Sequence, residues 1–237
     1  MDIITVVKFY DLTDCINLKT KDMPESKKIS KLQFITMDLK NKSHELLAEK
    51  ACEGGARWIQ LRIKDKPYEY WLTTAEKVKN ICDRYQAELI INDHVQIARQ
   101  IGAAGVHLGQ TDMHPNDARK ILGSNAIIGG TANTFEELKA HVERGVDYIG
   151  LGPFRYTTTK LNLSPVIGIE GYKTLLKKCA DENIQVPVIA IGGIEVADIH
   201  EILQTGVYGI AISSAISFAK DETLKTSEFI TEINKNQ

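Results

Sequence analysis

From Leu32 to the end of the chain, short apolar runs alternate with longer segments of helical spacing. The runs at 33–37, 57–61, 88–91, 105–108, 126–129, 147–151, 187–191 and 208–212 are four or five residues long and carry aliphatic and β-branched residues, as buried strands do. Amphipathic stretches near 43–53, 68–85, 93–102, 115–122, 134–144, 168–182, 195–204 and 214–219 separate them, and a further helical stretch follows Asp221. Gly54-Gly55, Gly102, Gly145 and Gly206 stand just past predicted helices, where a left-handed cap favours glycine. Eight strand–helix units in this length predict an α/β fold closed as a single (β/α)8 TIM barrel. A doubly wound open sheet is the alternative, but it needs a switch in strand order and usually holds five or six strands.

Residues 1–31 follow neither period. A strand fits 3–7, but 11–31 is charged, mixed and interrupted by Pro24, so 1–31 is expected to be a poorly ordered N-terminal extension and 32–237 the barrel. A chain of 237 residues with 43% apolar content buries a full core as one domain. Its net charge of -2 and pI of about 6.3 give no global basic face, which argues against nucleic acid or an anionic membrane as main partner. No apolar run approaches the ~18 residues of a membrane span and the N-terminus lacks a signal-peptide pattern, so a cytoplasmic protein is expected. Cys15, Cys52, Cys82 and Cys179 are scattered without paired spacing, as reduced thiols are.

In such barrels the site is built from the loops after the strands, so chemistry is sought just beyond each apolar run. Within 88–112, two strands of a βαβ unit each end in a carboxylate, Asp93 and Asp112. Neighbouring strands lie roughly 5 Å apart, close enough for both to hold one divalent ion. The second strand runs into Gln60, Arg62 and Lys64, which its alternation places on one side. Asn92 follows the third strand, His107 and Gln110 belong to the fourth, and Thr131 follows the fifth. The sixth opens a long loop that contains Thr157, Thr159 and Lys160. Gly192-Gly193 ends the seventh, and Ser213-Ser214 opens a helix after the eighth.

The last two features together suit a phosphate held on backbone N–H groups, although a tight turn and an ordinary N-cap are the plainer explanation of each. Arg62, Lys64 and Lys160 beside Asn92 and the two carboxylates suit a magnesium diphosphate. His107 is expected to be a core histidine satisfied by hydrogen bonds. His94, in the first turn of its helix, and His44, His114, His141 and His200 read as exposed. Trp58 and Trp71 read as packing residues. No nucleophile elbow, dinucleotide fingerprint or Walker pattern is present.

QLRIKD, IINDHVQIA, GVHLGQTD, the GP…TTTK loop, PVIAIGGI and ISSAI, in that order, resemble the successive signatures of the thiamine phosphate synthase family over residues 32 to about 220. The chain departs from that pattern at Gly130-Thr131, where a serine is usual, at Arg155-Tyr156, and in its N-terminal extension. The resemblance implies a transferase of thiamine biosynthesis that condenses hydroxymethylpyrimidine diphosphate with hydroxyethylthiazole phosphate by dissociative loss of diphosphate. It implies Mg2+ on Asp93 and Asp112, with Arg62, Lys64, Asn92 and Lys160 on the diphosphate. Gln60 and Thr131 would then lie near the pyrimidine, and Thr157, Thr159, Gly193, Ser213 and Ser214 at the thiazole phosphate or its adjoining loop. A thiazole tautomerase-like enzyme and a non-catalytic thiazole phosphate-binding regulatory protein are the competing readings.

Overall fold

The structure, a computed structural model, describes residues 27–156 and 165–236. The expected strand at 3–7 and Cys15 lie outside these residues. Eight strands form the expected closed barrel: β1 (Leu32–Ile35), β2 (Trp58–Leu61), β3 (Glu88–Asn92), β4 (Gly105–Leu108), β5 (Ile127–Ala132), β6 (Tyr148–Leu151), β7 (Val188–Ile191) and β8 (Gly209–Ile212). Every neighbour is parallel and follows chain order, and β8 closes on β1 with Leu32 opposite Ile210. An open doubly wound sheet is therefore excluded.

The surrounding helices are α1 (His44–Glu53), α2 (Tyr68–Arg84), α3 (Val95–Ile101), α4 (Pro115–Leu122), α5 (Phe135–Glu143), α6 (Gly168–Asp181), α7 (Ile199–Gln204), α8 (Ser214–Ser217) and α9 (Glu222–Lys235). Their ends obey local chemistry. Ser43 caps α1 and Asp221 caps α9 by accepting a backbone N–H, and Thr134 with Glu137 forms a reciprocal capping box on α5. Gly102 adopts the left-handed C-cap of α3, at φ 63°. The helix expected at 195–204 divides into a 3-10 turn, Val196–Asp198, followed by α7, and that expected at 214–219 is the short α8. None of these helices is long and apolar enough to cross a membrane.

Period-two alternation sorts the strand residues into two layers. Outward-facing Phe34, Ile59, Leu61, Leu89, Ile91, Val106, Leu108, Ile149, Leu151 and Ile210 pack under the helices with residues such as Leu47, Val78, Ile97 and Leu138. Inward-facing Ile35, Trp58, Ile90, Ile127, Tyr148, Ile189 and Ala211 fill the barrel itself. Trp58 and Trp71 are both buried, as packing residues should be. β5 extends to Ala132, beyond its expected end at 129, because Gly129 and Gly130 stay extended and Thr131 pairs with Gly150 of β6. The glycines there admit large neighbours: a Cβ at Gly129 would fall 2.2 Å from the Tyr148 ring, and one at Gly130 would fall 2.7 Å from His141.

His44 and His141 are buried, which corrects their expected exposure. Each is drawn inward by hydrogen-bonding groups at a strand end. His44 meets Thr36 and Asp38, and His141 meets the carbonyl of Thr131. Burial lowers the pKa of His141, opposed by that carbonyl bond.

The amino-terminal end of the barrel is sealed by side chains. Asp147 takes Lys27 at 2.5 Å on Oδ1, and Arg119 and the N–H of Ile128, both at 2.7 Å, on Oδ2. Tyr208 donates to the carbonyl of Ile29 at 2.7 Å, and the Lys31 ammonium lies 3.8 Å from the Tyr208 ring centre. Among the described residues, packing on the barrel thus begins at Lys27, ahead of the composition break near Lys31.

Candidate active site

The other end of the barrel opens into a cavity of about 560 Å³. Of the expected site residues, Gln60, Arg62, Asn92, Asp93, Thr131, Gly193, Ser213 and Ser214 line it. Lys64 and Asp112 stand outside that lining, and Thr157, Thr159 and Lys160 fall outside the described residues. The strand alternation accounts for this distribution: Gln60 is buried inside the barrel, Arg62 stands one pleat higher and half-buried, and Lys64 comes one pleat higher again.

The backbone of that ascending segment is braced by residues the sequence reading passed over. Arg62 N–H donates to Thr36 Oγ1 at 3.2 Å, and Lys64 N–H donates to Asp38 Oδ2 at 3.0 Å. His44 closes the circuit, with Nδ1 2.8 Å from Thr36 Oγ1 and Nε2 3.2 Å from Asp38 Oδ1. Two alternate backbone N–H groups of the β2 extension are thereby fixed from β1, so both cations project on the same side. Burial pushes the Arg62 guanidinium below its usual value, while the charges of Asp93 and then Asp38 act the other way. A guanidinium remains charged in proteins. It is thus a partly desolvated cation at the cavity wall.

Asp93 occupies the left-handed region at φ 64°, unfavourable for a residue with a Cβ. Its N–H donates to the carbonyl of His107 at 2.9 Å, which continues the β3–β4 ladder beyond Asn92. Asp112 accepts the N–H of Gly109 on Oδ2 at 2.6 Å. The negative charge of Asp112 reaches His94, whose pKa is lowered by burial and raised back by that carboxylate. The two carboxylates therefore rise from adjacent strand ends, as expected. Among the described residues, no group of three or more His, Cys, Asp and Glu gathers to hold a metal. A pair of carboxylates suits Mg2+, which keeps water and substrate phosphate as its other ligands, and does not suit a closed zinc site.

Across the mouth, Gly192 and Gly193 have φ 104° and 68°. Packing demands glycine here as strongly as any ligand does: a Cβ on Gly192 would lie 2.7 Å from Pro153, and one on Gly193 would lie 2.5 Å from Arg155. Ser213 Oγ is buried with no hydrogen-bond partner among the described residues. Together the diglycine and the two serines form an uncharged stretch of the cavity wall at the ends of β7 and β8, across from Asp93.

Beneath the mouth lies a ring of polar side chains. Gln60 Nε2 donates to Gln33 Oε1 at 3.2 Å, and Gln33 Nε2 donates to the Tyr148 hydroxyl at 3.1 Å. His107 lies 2.9 Å from that hydroxyl through Nδ1 and 2.8 Å from Thr131 Oγ1 through Nε2. His107 is thus the hydrogen-bonded core histidine the sequence suggested. Gln33 and Tyr148 were missed, although each is a polar residue on the inward period of a strand. Gln110 donates to the carbonyl of Thr131 at 2.8 Å, and Asn133 donates to the carbonyl of Gly152.

Residues 32–216 match the family model described as thiamine monophosphate synthase. The thiamine-phosphate synthase of Phocaeicola vulgatus is 48% identical over 203 residues, which cover 86% of this chain and 98% of that protein. The thiamine-phosphate synthase of Bacteroides fragilis is 49% identical over 199 residues, covering 84% and 98%. A solved structure of thiamine phosphate pyrophosphorylase from Pyrococcus furiosus superposes with a TM-score of 0.77 at 34% identity, covering 87% of this chain and 96% of that one. By its sequence and by its fold, the chain belongs to the thiamine monophosphate synthase family.

Proposed function

We infer that the protein is a transferase that joins hydroxymethylpyrimidine diphosphate to hydroxyethylthiazole phosphate, giving thiamine phosphate and diphosphate. The bond from the pyrimidine methylene carbon to the diphosphate oxygen breaks, and its electron pair leaves with diphosphate. The lone pair of the thiazole nitrogen then forms the new bond to that carbon. This nucleophile has no proton to lose, so no general base is required of the site. Family membership supports the overall reaction. The observation that carries the site assignment is the braced, partly desolvated Arg62 with Asn92 and Asp93 in one cavity with the uncharged Gly193, Ser213 and Ser214.

In this reading Arg62, Lys64, Asn92 and Lys160 hold the diphosphate and offset its charge as it departs, the electrostatic contribution expected of preorganised donors. Asp93 and Asp112 would hold Mg2+, which when bound neutralises further phosphate charge. Gln60 and Thr131 orient the pyrimidine. Gly193, Ser213 and Ser214, with Thr157 and Thr159 of the β6 loop, hold the thiazole phosphate, whose ring nitrogen is thereby kept near the methylene carbon. The carboxylate pair and the cations set this site apart from one that binds thiazole phosphate alone, so a tautomerase or a regulatory binding protein has less support.

Chromatographic detection of thiamine phosphate from both substrates with Mg2+ tests the reading. Stoichiometric diphosphate release is the expected companion product. Isomerisation of the thiazole phosphate without coupling, or its binding without turnover, would replace this function by one of the two alternatives.

A further inference from the structure

We propose that the buried chain Gln60, Gln33, Tyr148, His107, Thr131 is a polarised relay that fixes an acceptor at Gln60 and a donor at Thr131, and so selects an aminopyrimidine over a pyrimidinone. The proposal rests on the pyrimidine-binding reading above and adds to it the determinant of which pyrimidine is taken. Tyr148, which does not reach the cavity, is its central positioning residue.

The polarity follows from counting hydrogens. Tyr148 is fully buried, and burial pushes its phenol up, so the group stays protonated. It has one hydrogen to give. Its oxygen accepts Gln33 Nε2 at 3.1 Å. The hydrogen is then directed to His107 Nδ1, 2.9 Å away. A neutral imidazole whose Nδ1 accepts must carry its hydrogen on Nε2. That hydrogen goes to Thr131 Oγ1 at 2.8 Å, and the threonine's own hydrogen is left for the cavity. At the other end, Gln60 Nε2 is committed to Gln33 Oε1 at 3.2 Å, which leaves Gln60 Oε1 for the ligand.

Both ends face the cavity, since Gln60 and Thr131 line it together with Gln33 and His107. A ligand that fits must give an N–H to Gln60 and offer a lone pair to Thr131. An aminopyrimidine has both, in its exocyclic amino group and its ring nitrogens. A pyrimidinone sets a carbonyl oxygen against Gln60 Oε1, two acceptors with no hydrogen between them. Gln60 cannot correct this by turning its amide, because the turn would break the relay at Gln33. The reverse polarity would require both Gln33 and Gln60 to turn their amides, against the Gln33 Nε2 to Tyr148 and Gln60 Nε2 to Gln33 Oε1 bonds that the structure shows. The backbone is shaped for this pair of rings: a Cβ at Gly129 would overlap Tyr148, and one at Gly150 would lie 3.2 Å from His107 Cε1.

The test has a structural arm and a binding arm, both on the full chain. Nitrogen NMR of histidine-labelled, ligand-free protein should find His107 neutral with its hydrogen on Nε2, the resonance being assigned by its loss in His107→Gln. Tyr148→Phe should turn that signal into a mixture of tautomers. In calorimetry, wild type should bind hydroxymethylpyrimidine diphosphate at least roughly tenfold more tightly than its 4-oxo analogue, and Tyr148→Phe should lose most of that preference while binding thiazole phosphate as before. Gln33→Met cuts the chain on the other side of the phenol and should act alike if Tyr148→Phe does not fold. Hydrogen on Nδ1 of His107, or equal binding of the amino and oxo compounds, overturns the relay. If thiamine phosphate is still formed in either case, only the relay fails. If neither pyrimidine binds and no product forms, the substrate reading falls with it.

Discussion

At the amino-terminal end of the barrel, Asp147 has both carboxylate oxygens engaged, by Lys27, Arg119 and the N–H of Ile128. At the carboxyl end, Asp112 has one oxygen engaged by Gly109, Asp93 sits on a strained left-handed backbone, and Ser213 Oγ is buried without a partner among the described residues. The residue types are the same at the two ends. What differs is that Asp147 has both oxygens engaged within the protein, whereas Asp112 has one engaged and Ser213 Oγ none among the described residues. A closed end stabilises the fold and has nothing left for a ligand. An open end costs stability and keeps donors, acceptors and charge available, which is the usual trade at functional sites.

The contrast is sharpest for the carboxylate pair. Asp93→Asn and Asp112→Asn should each lower kcat by roughly 10² to 10³, the size of effect seen when one electrostatic contributor to a developing charge is removed. If the two act through one ion, the double mutant should be little worse than either single, since residues working as a unit are non-additive. Thermal unfolding should move far less than kcat, because Asp112 accepts a single N–H, from Gly109, in a part-buried setting. Steady-state kinetics over a Mg2+ series, with melting curves on the same samples, decide this. Losses that multiply would separate the two residues, and a large drop in Tm would make them structural like Asp147.

Asp147→Asn should show the opposite profile. Replacing the carboxylate turns one of three accepted bonds into a donor facing a donor and removes the charge opposite Lys27 and Arg119. Side chains there are largely shielded, with Asp147 17% exposed, so a cost of about 2 kcal/mol is expected. For a domain of this size that is a fall in Tm of roughly 5 °C. The kcat of the protein that remains folded should be unchanged. A variant of normal stability with impaired turnover would dissolve the distinction between the two ends.

How far the sequence foretold each region follows from the same contrast. The barrel was legible because buried parallel strands leave continuous apolar runs and helix caps leave glycines, both local signals. The mouth was legible wherever a polar residue stands at or just past the end of a strand, as Arg62, Asn92, Asp93 and Thr131 do. Thr36 and Asp38 follow β1 in the same way and were passed over because neither suggests a ligand. Their importance lies in bonds to Arg62 and Lys64, 26 residues away. His44 and His141 sit on helices whose polar faces suggested solvent, and only the closure of the barrel brings Thr36 and Thr131 to them. β5 ran past its expected end because Gly129 reads as a stop in sequence, whereas in space it makes room for Tyr148.

Thr36→Val probes the boundary between the two behaviours, since the brace is internal like the Asp147 knot but serves the mouth. The substitution keeps shape and leaves Arg62 N–H and His44 Nδ1 without their partner. A stability loss of about 1 kcal/mol is expected. The KM for the pyrimidine diphosphate should rise roughly tenfold, a comparable free energy, with kcat and the KM for thiazole phosphate little changed. Equal weakening of both substrates would mean that the brace supports the barrel generally and not the β2 extension.

The smallest effect concerns where the closed end begins. Composition alone places the start of the barrel near residue 32, which predicts that removing residues 1–30 is harmless. Contacts ahead of β1 bear on that expectation: Lys27 pairs with Asp147, the carbonyl of Ile29 accepts from Tyr208, and the Ile29 side chain packs against the core inside the barrel. Removal of 1–26 should therefore leave Tm and kcat within error of the full chain. Removal of 1–30 should cost about 1 to 2 kcal/mol, from one hydrogen bond, a half-buried ion pair and part of an isoleucine side chain. It should also make the remaining stability less sensitive to salt, because the Lys27 ion pair is gone. Kinetic constants should be the same for both truncations, since every group lost lies at the end of the barrel away from the cavity. Melting curves for the three proteins at low and high salt give the answer. If the two truncations melt alike, residues 27–30 add nothing and the boundary returns to 31; if the shorter deletion already loses activity, the first 26 residues act on the mouth and the separation of the two ends is incomplete.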